Sequence, residues 1–98
     1  MIAAIVRFEY DKAFDEARLR EIAESARGKF ENMPGLWSKT FGIDPERRQA
    51  VNVYVWESMD AARAFFSPQF LERVAGLYGV APTVQFLDVA ALVDNARD

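Results

Sequence analysis

Residues 50–57, AVNVYVWE, carry the strongest strand pattern in this 98-residue chain. β-Branched and aromatic residues fill it, which is typical of a β-strand. Because successive side chains of a strand point to opposite faces, three valines share one face and three other residues share the second. The two sets are Val51, Val53 and Val55, and Asn52, Tyr54 and Trp56. Since neither set carries a charge, the sheet that contains this strand is predicted to be covered on both faces.

The segments around this strand alternate between strand and helix patterns. Further strands are predicted over residues 2–10, 36–43 and 83–90. Apolar spacings of three and four predict a helix over residues 14–30, and a second helix after an N-cap at Ser58 that is broken in two at Ser67-Pro68. The order β-α-β-β-α-β predicts one α+β domain over residues 1–98. Its expected architecture is ferredoxin-like, with one four-stranded antiparallel sheet and helices on one face.

Helices can cover only one face of such a sheet, so the other face needs a different cover. The last predicted strand repeats the two-sided apolar pattern, since Val84 and Phe86 oppose Leu87 and Val89. We therefore predict a homodimer in which two sheets face each other. The apolar residues 91–93 are expected either to add to that interface or to pack within their own chain.

The composition excludes several classes of function. The chain has no cysteine and no histidine, so the usual zinc and haem ligands, a thiolate nucleophile and a Ser-His-Asp triad are absent. A net charge of −3, with no basic run longer than Arg47-Arg48, argues against nucleic-acid binding. The apolar run over residues 1–6 is too short for a signal peptide or a membrane span. We expect a cytoplasmic protein that binds no nucleic acid, membrane, metal or cofactor.

Two segments near the centre of the chain resemble the YdhR-like monooxygenase family. They are residues 33–41, MPGLWSKTF, and residues 54–58, YVWES, which a polar hairpin separates. Residues 86–89, FLDV, also fit the end of that family's last strand, and the aromatic-Glu-Ser step is shared with the antibiotic-biosynthesis monooxygenases. The resemblance implies a dimeric α+β barrel with a pocket between the sheet and the helices. Relatives on this fold include cofactor-free oxygenases, lactone isomerases and haem-degrading enzymes, and the last of these use a histidine that this chain lacks.

Asn52, Tyr54 and Trp56 are the predicted catalytic residues. They place an amide, a phenol and an indole in a row about 13 Å long. The resemblance implies the roles of Asn52 and Trp56, because cofactor-free oxygenases of the superfamily have an Asn and a Trp at this spacing in the pocket. In such enzymes the substrate's own phenolate or enolate reduces dioxygen, and the protein holds the substrate and stabilises the oxyanion. The alternative is that Trp56 is a core aromatic and Asn52 lies near the hairpin or the dimer edge.

Seven further residues are predicted to bind the substrate: Tyr10, Trp37, Lys39, Phe41, Phe65, Phe66 and Phe70. Lys39 lies in mid-strand on the expected face of Trp37 and Phe41. Its amine either reaches water from an edge strand, or enters a pocket and holds a phenolate or acts as a base. Phe65, Phe66 and Phe70 flank the helix break, which favours a pocket mouth there.

These residues predict a cofactor-independent monooxygenase that acts on a small aromatic or phenolic compound. A non-catalytic binding protein for a hydrophobic metabolite would need the same pocket and is the first alternative. The second is an isomerase or lyase of lactone-like compounds that uses Asp88, Glu9 or a tyrosine as its base. Which face of the sheet lines the pocket is left open by the sequence.

Overall fold

A computed structural model describes residues 1–96 of the chain. Its elements are β1 (Ile2–Glu9), α1 (Glu16–Phe30), β2 (Leu36–Asp44), β3 (Gln49–Trp56), α2 (Met59–Phe65), α3 (Pro68–Tyr78) and β4 (Thr83–Asp88). The strands form one antiparallel sheet in the order β2-β3-β1-β4. The prediction of a ferredoxin-like α+β fold with one four-stranded antiparallel sheet is therefore confirmed.

The helices begin at capping residues that the sequence supplies. The side chains of Asp15, Ser58 and Ser67 each accept a hydrogen bond from a backbone N–H three residues later, at 3.1–3.2 Å. Gly79, with a φ of 85°, ends α3 in the left-handed conformation that favours glycine. The cap at Ser67 separates α2 from α3 at the predicted break. Within residues 1–96, no helix is both long and apolar enough to cross a membrane.

The helices pack on one face of the sheet, and this covered face holds the core. Every second residue of β1 and β3 is buried there: Ile2, Ala4, Val6, Phe8, Ala50, Asn52, Tyr54 and Trp56. The predicted catalytic row therefore faces the helices. The intervening residues form what we call the open face, which includes Ala3, Ile5, Val51, Val53, Val55 and Leu87.

The strand β2 departs from regular alternation near its start. Leu36 pairs with Trp56 and Ser38 pairs with Val55, so Trp37 is an extra residue in a β-bulge. Its side chain is 59% exposed. Because the bulge interrupts the two-residue repeat, the alternation no longer assigns Trp37 to the face of Lys39, and Trp37 stays a predicted site residue only.

The chain after β4 forms no helix or strand up to residue 96. Leu92 and Val93 are 56% and 82% exposed. These apolar side chains therefore do not pack within their own chain, which was one of the two expectations for them.

Candidate active site

A cavity of about 360 Å³ lies between the helices and the covered face of the sheet. This volume is within the range of small-molecule sites. Aromatic rings form much of its wall, among them Phe8, Phe30, Phe41, Phe65 and Phe70. Lys39, Asn52, Tyr54 and Tyr78 add polar groups, and the exposed residues Lys29 and Arg73 also contribute to the lining. Among residues 1–96, no carboxylate contributes to the lining.

The amine of Lys39 lies among three aromatic rings. Its Nζ is 3.6 Å from the ring centroid of Phe30, 4.1 Å from that of Phe41 and 4.4 Å from that of Tyr54. Within residues 1–96 it forms no ion pair. Burial lowers the pKa of this amine from 10.5 to about 7, because the charged form loses its hydration. The ring faces favour the ammonium and act against this shift, so Lys39 is suited both to accept a proton and to hold an anion.

Asn52 is buried, with 4% of its surface exposed. Its Nδ2 donates a hydrogen bond to Oη of Tyr78 at 3.1 Å. The ring of Tyr78 stacks on Phe8 with centroids 3.8 Å apart, and its backbone carbonyl accepts a hydrogen bond from Oη of Tyr10 at 2.7 Å. Burial raises the pKa of Tyr78, and the hydrogen bond from Asn52 acts against this. These contacts hold Tyr78 in place. Within residues 1–96 the Asn52 amide donates this one hydrogen bond, so its second N–H remains to serve a ligand in the cavity.

The phenol of Tyr54 lies near the centre of the covered face. Burial raises its pKa well above the ordinary value of 10, and the nearby Tyr78 adds to this effect. Tyr54 therefore stays protonated at neutral pH and acts as a hydrogen-bond donor or acceptor without charge. Its ring is held by Phe65 and Phe66, with centroids at 5.6 Å and 5.0 Å.

Trp56 lies outside the cavity lining. Its ring stacks on Tyr54 with centroids 5.9 Å apart and packs on Phe65 at 5.0 Å, and these two residues form the cavity wall in front of it. Only 2% of its surface is exposed. Its Nε1–H is buried without a partner in the described part of the chain. This is the position of a core aromatic, and a catalytic role for Trp56 stays a prediction.

The structure brings six of the predicted site residues to the cavity: Lys39, Phe41, Asn52, Tyr54, Phe65 and Phe70. The other four, Tyr10, Trp37, Trp56 and Phe66, do not line it. Tyr10 instead bonds to the end of α3, and Phe66 is buried in the core.

Tyr78 is the main lining residue that is absent from the predicted site. The signal that could have found it is a phenol on an otherwise apolar helix surface, because such a phenol needs a polar partner when it is buried. Arg73 is exposed and also contributes to the lining, and it was not among the predicted site residues. Glu9 and Asp88, the bases of the isomerase alternative, are exposed and do not line the cavity.

A groove of about 780 Å³ adjoins the cavity on the side of α1 and β2. Phe30, Lys39 and Phe41 line both spaces, so Lys39 lies where the two meet. The outer part of the groove carries charges of both signs, from Arg20, Glu24, Arg27 and Glu31. The groove therefore lies against the part of the cavity wall that contains Lys39.

No protein-family model and no curated protein matches this chain. Among solved structures, the chain is similar to a monooxygenase from the gene ActVA-Orf6 of Streptomyces coelicolor, in complex with nanaomycin D. The two are 23% identical, and the match covers 97% of this chain and 92% of that one, with a TM-score of 0.68. SnoaB, a cofactor-independent oxygenase from Streptomyces nogalater, is 20% identical over 94% of this chain and 95% of that one, with a TM-score of 0.66.

A third structure comes from Caulobacter crescentus and is described provisionally as an antibiotic biosynthesis monooxygenase. It is 18% identical, covering 92% of this chain and 90% of its own, with a TM-score of 0.67. The chain thus shares the fold of antibiotic-biosynthesis monooxygenases over nearly its whole length. At these identities the likeness establishes the fold, and the activity has to be argued from the cavity.

Proposed function

We propose that this protein is a cofactor-independent monooxygenase of the YdhR-like family that acts on a small aromatic compound with an acidic phenol or enol. One observation carries the proposal. A lysine amine of lowered pKa, a buried amide and two neutral phenols converge on one aromatic cavity whose lining has no carboxylate. The fold shared with two proteins described as a monooxygenase and a cofactor-independent oxygenase supports it.

The first step is binding and deprotonation of the substrate. Its ring packs against the phenylalanines of the cavity wall, and its hydroxyl meets the amine of Lys39. Because the pKa of Lys39 is about 7, the neutral amine is present at neutral pH and accepts the phenolic proton. The resulting ammonium is stabilised by the rings of Phe30, Phe41 and Tyr54 and holds the phenolate beside it.

The second step is oxidation of the phenolate by dioxygen. The phenolate gives one electron to dioxygen, and the radical pair recombines with formation of a carbon–oxygen bond. The resulting peroxide anion takes back the proton held by the Lys39 ammonium, which gives a hydroperoxide and restores the neutral amine. The hydroperoxide then loses water and leaves a carbonyl, so one oxygen atom enters the product and the other leaves as water. The substrate supplies all four electrons. The free N–H of Asn52 and the O–H of Tyr54 are placed to stabilise the negative oxygen.

Oxygen uptake with anthrone and hydroxylated naphthacenes tests the proposal. The wild-type protein is expected to consume oxygen faster than buffer, and Asn52→Ala and Lys39→Met are each expected to lower kcat/KM at least tenfold. Lys12→Met removes an exposed lysine outside the cavity and should behave as the wild type. Ligand-dependent quenching of tryptophan fluorescence without oxygen uptake across the panel would instead support the binding-protein alternative.

We further propose that the open face of the sheet is the interface of a homodimer. The face is apolar along β3, where Val51, Val53 and Val55 lie half-buried and no helix packs on them. A second copy of the same face is a self-complementary cover under two-fold symmetry. The exposed Leu92 and Val93 extend the apolar surface available to that contact. The absence of nucleic-acid binding and the cytoplasmic location stay predictions from the composition.

A further inference from the structure

The environment of Lys39 differs from that of the other lysines of the chain. Lysines occur at positions 12, 29 and 39. Lys12 and Lys29 are exposed, whereas Lys39 lies against three ring faces and lines the cavity. Within residues 1–96 no carboxylate forms an ion pair with it. A lysine in an apolar enclosure without a counter-ion is the usual setting of a lysine nucleophile.

The position of Lys39 also gives a ligand access to its nitrogen. Lys39 lies where the outer groove meets the cavity, so a small molecule can approach from solvent. The rings that surround Nζ are themselves suitable partners for a flat aromatic ligand. Asn52 and Tyr54 line the same cavity and supply donors for a ligand oxygen.

We propose that Lys39 captures an aromatic aldehyde or ketone in this cavity as an imine. The lone pair of Nζ attacks the carbonyl carbon, and the carbonyl oxygen takes up a proton to give a carbinolamine. The carbinolamine then loses its oxygen as water, which overall takes up both amine protons. A carbon–nitrogen double bond remains. The step needs no oxidant or reductant, so it goes beyond the oxygenase activity and does not depend on it.

Two features of the site favour this product. The protonated imine is a cation, and the faces of Phe30, Phe41 and Tyr54 stabilise a cation at Nζ. The lowered pKa of Lys39 supplies the unprotonated amine that the attack requires at neutral pH. The cavity volume of about 360 Å³ lies in the range of sites that enclose small molecules.

Reductive trapping tests the proposal directly. The full-length protein is incubated with benzaldehyde and sodium cyanoborohydride at pH 7 under nitrogen, digested with trypsin and analysed by mass spectrometry. Benzylation of Lys39 blocks cleavage there and joins residues 30–39 to 40–47 in one peptide. We expect Lys39 to be labelled at least tenfold faster than Lys12 and Lys29. Labelling of Lys39 no faster than these two would overturn the proposal.

Two variants complete the experiment. Lys39→Arg keeps a cation but removes the nucleophile, and it should abolish the fast label. Lys12→Arg removes an exposed lysine outside the cavity and should keep the fast label on Lys39. Fast labelling that survives Lys39→Arg in a variant with the wild-type circular dichroism spectrum would assign the reaction elsewhere. If the wild-type protein consumes oxygen but shows no selective label, the imine proposal fails while the oxygenase proposal stands.

Discussion

The two faces of β3 carry different residues although they alternate along one strand. On the covered face, Asn52, Tyr54 and Trp56 are buried under the helices of their own chain. On the open face, Val51, Val53 and Val55 are half-buried and carry no polar atom in their side chains. On the covered face, the amide of Asn52 is held within the chain by its hydrogen bond to Tyr78. The difference agrees with our two proposals, in which the covered face binds a ligand and the open face binds a second copy of the chain.

We expect the largest loss of stability for a variant of the covered face, and we compare it with a variant of the exposed bulge in β2. Trp56→Ala is expected to lower the free energy of unfolding by about 4 kcal/mol, because it leaves a large void in a packed core. Trp37→Ala, at the exposed bulge, should cost less than about 1 kcal/mol. Urea unfolding followed by circular dichroism measures both. Equal costs for the two tryptophans would contradict the assignment of the faces.

A charge on the open face is expected to have the next largest effect. Val53→Asp places a carboxylate in the proposed interface and should raise the dimer dissociation constant at least a hundredfold, which corresponds to about 2.7 kcal/mol. Sedimentation equilibrium measures the constant. Ser25→Asp adds the same charge on the exposed surface of α1 and should leave it unchanged. A wild-type protein that sediments as a monomer would remove the proposed role of this face.

The Lys39→Met variant measures how much the buried amine on the covered face lowers the stability of the protein. The folded-state pKa of about 7 lies below the ordinary 10.5, so between these values the unfolded chain binds more protons and stability rises with pH. The loss of stability caused by burying the amine is therefore complete below pH 7, and it disappears above pH 10.5. Lys39→Met should raise the free energy of unfolding by about 2 kcal/mol at pH 6, a figure reduced for the partial exposure of the side chain.

The pH series supplies the check on this prediction. Urea unfolding at pH 6, 8 and 10 should show a gain that shrinks as the pH rises. The exposed Lys29→Met should change stability little at any of the three. An equal gain at pH 6 and pH 10 would mean that the effect comes from packing and not from the charge of Lys39.

The hydrogen bond between Asn52 and Tyr78 gives the smallest expected effect. A double-mutant cycle with Asn52→Ala and Tyr78→Phe should yield a coupling energy of about 1 kcal/mol. Urea unfolding of the four proteins measures it. A coupling near zero would show that the covered face does not depend on this bond for its order.

The element order and the helix caps were predictable because they depend on local signals. The alternation along β3 and the caps at Ser58 and Ser67 act within a few residues. The position of Trp37 was not predictable, since a bulge leaves no mark in the two-residue repeat until the pairing with β3 is known. Tyr78 was missed for a related reason, because its partner Asn52 lies 26 residues away in the chain.

We propose that the covered face oxidises an acidic aromatic compound with dioxygen and that Lys39 takes the proton of that compound. Mass spectrometry of the product formed from anthrone under ¹⁸O₂ tests it most directly. We predict a product with one ¹⁸O atom, formed by the wild-type protein well above the rate in buffer and at least tenfold more slowly by Lys39→Met. Formation of the labelled product at the buffer rate, or at the same rate in both proteins, would contradict the account.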